Sequence, residues 1–286
     1  MDDLNGRVAV ITGGASGIGL AMAQRFAGEG MKLVLADIER PVLQRAAEEL
    51  SRTGADVLTV PTDVSLEADV TALAETALEH FGDVHLVCNN AGVGSRGLPI
   101  AELPLADFSW VLAVNLFGVI HGLRAFLPHL RANDVGHIVN TASTSGLYYL
   151  PRMGPYNASK AAVVALSETL RFELAAEGSH VGVSVLCPGP VRTNISTADR
   201  NRPERFAYAL DTDQMAQVAT YKARRREQRA FAADPSDIAD QVCEAVRTNR
   251  FYILTHPASL DVFGPGRTHH RRSRPSGAIG MKESAP

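Results

Sequence analysis

The sequence predicts an α/β fold, a doubly wound sheet of about seven mainly parallel strands with helices on both faces, and three observations carry that expectation. Short β-rich apolar runs alternate with helical patterns of roughly a dozen residues, which implies right-handed βαβ crossovers. The length of 286 residues, with 45% hydrophobic and 21% charged content, suits one α/β unit with a sizeable core. Neither a linker nor a repeat breaks the rhythm, so residues 1–263 read as a single domain.

Each element can be justified in order. RVAVIT at 7–12 is β-rich, and a glycine-containing turn leads from it into IGLAMAQRFAGEG, whose apolar residues recur at helical spacing. The pattern repeats through the strand KLVLAD, a helix over VLQRAAEELSRTG, the strand DVLTVPTD, a helix over DVTALAETALEHFG and the strand VHLVCNN. A long helix is expected over LADFSWVLAVNLFGVIHGLRAFLPHLR, then the strand HIVNTAS and a helix over GPYNASKAAVVALSETLRFEL. The strand GVSVLCPG, a helix near PSDIADQVCEAV and the strand FYIL complete the sheet. Residues 193–234 depart from this rhythm. About forty residues exceed a simple connection, so the segment reads as an insertion with helical pieces that covers a substrate site.

Charge and cysteine usage exclude several classes. In residues 264–286 five basic side chains (Arg267, Arg271, Arg272, Arg274 and Lys282) face Glu283, so this tail carries +4 and the remainder −7 of the overall −3. The tail's Pro, Gly and Ser content reads as a flexible terminus, and an acidic body repels phosphate backbones, so no nucleic-acid partner is expected. Cys88, Cys187 and Cys243 are odd in number and far apart in apolar surroundings, which suits reduced core thiols, with neither disulfides nor a metal site expected. No segment reads as approaching the ~20 apolar residues that cross a bilayer, and the N-terminus MDDLNGR is polar, so a cytoplasmic protein without membrane association is expected.

The turn TGGASGIG places Gly13, Gly17 and Gly19 between the first strand and the first helix, with Ser16 and Ile18 among them. Glycines there let the backbone approach a pyrophosphate, which the free N–H groups and positive dipole of the helix start stabilise, as in a Rossmann-like site. Asp37 ends the second strand, where a carboxylate accepts from adenosine ribose hydroxyls and repels the 2′-phosphate of NADP. NAD is therefore expected, with Arg40 leaving NADP as the alternative. Asp63 and Val64 follow the third strand, where they can meet the adenine; for Asp63, a turn or helix cap is the close alternative.

The catalytic signal is Tyr156 with Lys160, four residues apart on one helix face, and Ser143 thirteen residues upstream. A positive charge beside a phenol favours phenolate, and a serine hydroxyl can hold a substrate oxygen in either protonation state. The three together form a proton-transfer device for an alcohol or carbonyl.

With NNAG at 89–92 and PGPVRT at 188–193, these motifs resemble the short-chain dehydrogenase/reductase family over residues 7 to about 256. The resemblance implies that Asn115 helps hold a water linking Lys160 to solvent, that Ser143 orients the reacting oxygen, and that Tyr156 is the acid or base. It also implies that Lys160 lowers the tyrosine pKa and bonds the nicotinamide ribose. Asn90, Ala91 and Gly92 would lie beside the cofactor, and Val191 and Thr193 would contact the carboxamide. A homotetramer, or less often a dimer, built through the Asn115 and Tyr156 helices is implied as well. Leu147, Tyr148, Tyr149, Met153, Pro190, Phe206, Tyr208, Leu210 and Met215 are expected near the pocket, with Tyr149 and Met153 on the substrate, although Arg152 and Arg192 fall close by. This lining predicts a small-molecule hydrophobic, cyclic secondary alcohol or its ketone. The competing readings are an NADPH-dependent reductase and a dinucleotide-binding sensor without chemistry.

Overall fold

The structure, a computed structural model, describes residues 1, 3–227 and 232–256; the basic tail lies outside the described residues. Its strands are β1 (Val8–Thr12), β2 (Lys32–Asp37), β3 (Val57–Pro61), β4 (Leu86–Asn89), β5 (His137–Thr141), β6 (Gly182–Cys187) and β7 (Tyr252–Leu254). They form one sheet in the order β3-β2-β1-β4-β5-β6-β7, and every pairing is parallel. The helices are α1 (Gly17–Gly28), α2 (Arg40–Arg52), α3 (Glu67–Phe81), α4 (Leu105–Leu112), α5 (Gly118–Asn133), α6 (Gly154–Ala176), α7 (Thr212–Glu227) and α8 (Pro235–Arg247).

Alternation along the strands sorts the helices into two layers. Ala9 and Ile11 of β1, with Leu33 and Leu35 of β2, pack on Met22 and Phe26 of α1, Leu43 of α2, and Ile238 and Val242 of α8. The intervening Val8, Val10, Val34 and Ala36 pack on Leu73 of α3, Phe126 of α5, and Val163 and Leu170 of α6. Because both faces are covered, the central strands are continuous apolar runs and not alternating ones. Chain order reverses between β1 and β4, which opens a crevice beyond the carboxyl ends of these strands.

The long helix is α4 and α5 joined through a π turn at Ala113–Phe117. By length and composition Leu105–Asn133 could cross a bilayer, which corrects the expectation that no segment approaches that size. Polar residues such as Asp107, His121 and Arg124 interrupt the apolar ones in sequence and hide the average. Trp110, Val111, Val119, Phe126 and Leu130 are instead buried within the molecule.

The expected insertion folds as two 3-10 turns, Ile195–Asn201 and Glu204–Phe206, followed by α7. Arg202 pins it to the body. Its Nη2 donates to Asp107 Oδ1 at 2.6 Å and to Asp199 Oδ1 at 3.0 Å, and its guanidinium stacks 4.0 Å from the Trp110 ring centroid. Tyr208 Oη also donates to Asp107, at 3.0 Å. Farther on, Val218 and Leu210 pack on Leu98, Leu103 and Phe108.

Candidate active site

A single cavity of about 660 Å³ runs along the crevice and joins most of the residues expected at the cofactor, together with Ser143, Tyr156 and Lys160. At the phosphate turn, Gly13 has φ +65, and a Cβ there would meet Ala91 Cα at 3.0 Å. A Cβ on Gly19 would sit 2.0 Å from the Gly13 carbonyl oxygen. Glycine at these two places is a steric necessity, and it lets α1 begin directly beneath the crevice. Gly13, Ser16, Gly17 and Ile18 line the cavity, while Gly19 lies behind them. Ser16 is the N-cap of α1, and its side chain makes no cap bond. The first turn carries no acidic residue, so the helix start is left to an anion.

Thr12 holds this turn against the NNAG segment, a role not read from the sequence. Its Oγ1 accepts from Asn90 N at 2.9 Å and Ala91 N at 3.1 Å, and donates to Cys88 O at 3.3 Å. Asn90 answers by donating its amide to Thr12 O at 2.9 Å. Asn90, Ala91 and Gly92 all face the cavity. The position of Thr12 as the last residue of β1 and the first of TGGASGIG was the available signal.

At the adenosine end, Asp37, Asp63 and Val64 line the same cavity. Asp37 accepts from Ala15 N at 3.2 Å and Glu39 N at 3.0 Å, although burial pushes its pKa up. Asp63 caps a turn by accepting from Ser65 N and Oγ, the alternative to an adenine contact, and accepts from Arg205 at 2.9 Å. Arg40 is exposed at the start of α2 and is not part of the lining. Glycine cradle, bare helix start and terminal Asp37 together fit a dinucleotide.

At the other end, Ser143, Tyr156 and Lys160 meet. Ser143 is buried after β5; its Oγ accepts from Ser145 N at 3.1 Å, donates to Pro188 O at 3.3 Å and lies close enough to the Tyr156 phenol to lower its pKa. Lys160 is buried and donates from Nζ to Thr141 O at 2.7 Å, while lying 5.8 Å from the Tyr156 ring centroid. Burial pulls the Lys160 ammonium down to about 8. The expected fall in the Tyr156 pKa is not what the chain alone produces. Desolvation pushes Tyr156 up, and the Ser143 hydrogen bond and the Arg225 charge pull it partly back.

Asn115 sits in the π turn, fully buried and away from the cavity lining. Its Oδ1 accepts from Val93 N at 2.8 Å, and its Nδ2 donates to Val93 O at 3.0 Å and Ser159 Oγ at 3.2 Å. The side-chain amide donors are thus committed to fixing the chain after NNAG against α6. Its expected service to a water cannot use them.

The substrate end departs most from expectation. Met153 is buried and lines the cavity, as do Tyr148, Pro190, Val191 and Thr193. Tyr149 does not; its side chain is 51% exposed, because its neighbours Tyr148 and Leu150 point inward in its place. Leu147 packs into the sheet core, Phe206 onto the Trp110 cluster and Leu210 against Leu98, and Met215 is exposed. Tyr208 is taken up by Asp107. Arg152 reaches Gly97 O and Gln217, and Arg192 reaches Ala232 O and Asp234, so neither faces the cavity. Tyr221, Lys222 and Arg225 of α7 line it instead, together with Trp110, Val114, Ile195 and Ala198.

Comparison with known proteins agrees with this geometry. A family model described as short chain dehydrogenase matches residues 7–204. A CLA biosynthesis dehydrogenase/reductase of Lactiplantibacillus plantarum is 36% identical over 261 residues, 90% of each chain. A 1-deoxy-11-beta-hydroxypentalenate dehydrogenase of Streptomyces avermitilis is 38% identical over 253 residues, 87% of this chain and 84% of that one. Among solved structures, a short chain dehydrogenase/reductase from Burkholderia phymatum in complex with NAD superposes with a TM-score of 0.88 at 48% identity, covering 92% of this chain and 93% of that one.

Proposed function

This chain belongs to the short-chain dehydrogenase/reductase family, and from that premise we propose that it is an NAD-dependent oxidoreductase interconverting a hydrophobic, cyclic secondary alcohol and its ketone. The observation that carries the reading is the continuity of one cavity from the Asp37 carboxylate to the Tyr156 hydroxyl. A carboxylate at the ribose position favours NAD over NADP. The NAD in the Burkholderia phymatum structure supports that choice. Apolar lining from Trp110, Val114, Met153 and Ile195 supports a bulky hydrocarbon substrate.

Bound NAD supplies the hydride acceptor. Tyr156 takes the hydroxyl proton of the alcohol, and Ser143 holds the same oxygen as its bond order rises toward the ketone. In reduction Tyr156 returns the proton, a direction that its raised pKa favours at neutral pH. Lys160, held by Thr141 O and partly discharged near pH 8, keeps a cation beside the ring and faces the crevice where the nicotinamide ribose would lie.

Lys222 and Arg225 in the lining favour a second reading of the substrate, an apolar alcohol that also carries a carboxylate. Matched cyclic alcohols with and without a carboxylate, assayed with wild type and Arg225→Gln, test this. A preference for the acid that Arg225→Gln removes supports the anionic form, and equal rates support the neutral one. Asp37→Ala tests the cofactor by raising activity with NADP relative to NAD; unchanged selectivity would reject the role given to Asp37. The exposed Leu105, Phe117 and Phe172 on α4, the π turn and α6 support a homotetramer or dimer through these helices, which light scattering would measure.

A further inference from the structure

The segment after β6 does more than close one end of the cavity. Arg200, from its first 3-10 turn, crosses to the loop that follows β2, where Nε donates to Glu39 Oε2 at 3.1 Å and Nη2 meets Oε1 in a two-pronged pair. Asn201 Nδ2 donates to the same Oε1 at 2.9 Å. Five residues on, Arg205 Nη2 crosses to the loop after β3 and donates to Asp63 Oδ2 at 2.9 Å and Ser65 Oγ at 2.7 Å. Glu39 and Asp63 therefore stand two residues beyond the ends of neighbouring strands, beside Asp37, and both are tied to the opposite wall of the crevice. Glu39, Asp63, Arg200 and Asn201 line the same cavity as Asp37.

We infer that Glu39, Arg200 and Arg205 are dinucleotide-retention residues: the strap of residues 193–206 is clasped over the adenosine end of the crevice by the Arg200–Glu39 and Arg205–Asp63 pairs, which must part before the dinucleotide leaves. This rests on the reading of the crevice as a dinucleotide site. Exposure decides which contacts yield. Arg202 and Asp107, which anchor the strap, are 5% and 0% exposed, whereas Arg200 and Glu39 are 38% and 23% exposed and Arg205 and Asp63 44% and 15%. A buried pair resists salt and is costly to break; partly exposed pairs are weaker and more readily screened. The clasps can thus open while the anchor keeps the strap folded. Arg200 also bonds Thr197 O and Oγ1 at 3.0 Å each, so it moves with the strap and not with the β2 loop. An ordinary phosphate or ribose contact would bind one wall of the crevice; these side chains bind one wall to the other.

Stopped-flow displacement of reduced NAD, followed by its fluorescence, measures release directly and requires no substrate. In the double variant Glu39→Gln/Arg205→Gln, the dissociation rate should rise by about fivefold, within the two- to thirtyfold that two exposed pairs allow. The wild-type rate should climb similarly between about 0.1 M and about 1 M salt, as the screening length falls from about 10 Å to about 3 Å, and the double variant should lose most of that dependence. Glu39→Arg combined with Arg200→Glu restores the first clasp with reversed charge, and should return release toward the wild-type rate. A double variant that keeps the wild-type circular dichroism and thermal midpoint yet releases at the wild-type rate, with the same salt dependence, overturns the strap alone. Failure of the wild-type chain to bind reduced NAD at all overturns both the strap and the dinucleotide reading.

Discussion

Replacing Arg202 with methionine isolates the contact that holds the substrate side of the molecule in place. Methionine keeps much of the apolar stem that packs on Trp110 but removes the charge. Asp107, with no exposed surface, is then left with the Tyr208 hydroxyl at 3.0 Å and a long contact from Ser95 at 3.4 Å. Orphaning one partner of a buried pair costs about 3–5 kcal/mol. Against this, Arg202 Nη1 is buried without a partner, a defect of about 1–3 kcal/mol that the variant removes. The net loss should be about 2 kcal/mol in denaturant unfolding at neutral pH. Adding Asp107→Asn removes the stranded charge, so the double variant should recover to within about 1 kcal/mol of wild type. The reasoning fails if Arg202→Met unfolds at wild-type denaturant concentration, or if the double variant is less stable than the single one.

The remaining predictions concern the chemistry. Tyr156→Phe should cut turnover by roughly 10²–10⁴-fold while calorimetry still shows wild-type affinity for reduced NAD, because the phenol acts on the substrate proton and the cofactor cradle is made elsewhere. With Tyr156 raised by burial, alcohol oxidation needs its deprotonated form and should accelerate as pH rises above neutral, whereas ketone reduction needs the protonated form and should slow. Arg225→Gln removes a charge that pulls the Tyr156 pKa down, so its oxidation profile should shift to higher pH; an unshifted profile would show that the α7 cation does not reach the phenol.

How much of this could be read from the chain depends on the range of each interaction. The seven strands and the phosphate turn are legible because period, glycine spacing and strand-to-helix order are local. The Ser143, Tyr156 and Lys160 cluster is legible because two of its members share a helix turn. Tyr149 was misplaced because sequence proximity to Tyr156 does not say which of three consecutive residues points inward. Arg225 and Lys222 were missed because α7 reads as a charged, solvent-facing helix, and its packing on Leu98 and Leu103 through Val218 is set by distant residues. The Arg202–Asp107 pair joins positions 95 apart, and the Arg200–Glu39 pair positions 161 apart. No spacing rule reaches that far. The spacing of Tyr156 and Lys160 suggests a downward pull from the lysine, but in the assembled fold burial raises the tyrosine, and Ser143 and Arg225 pull it partly back.

Absorbance of reduced nicotinamide, recorded with NAD and NADP in parallel over cyclic secondary alcohols, sugars and hydroxy acids, tests the central claim most directly. The account predicts turnover of a hydrophobic cyclic alcohol with NAD preferred. Turnover confined to sugars, or to NADP, or none in either direction by a chain that binds reduced NAD normally, would contradict it.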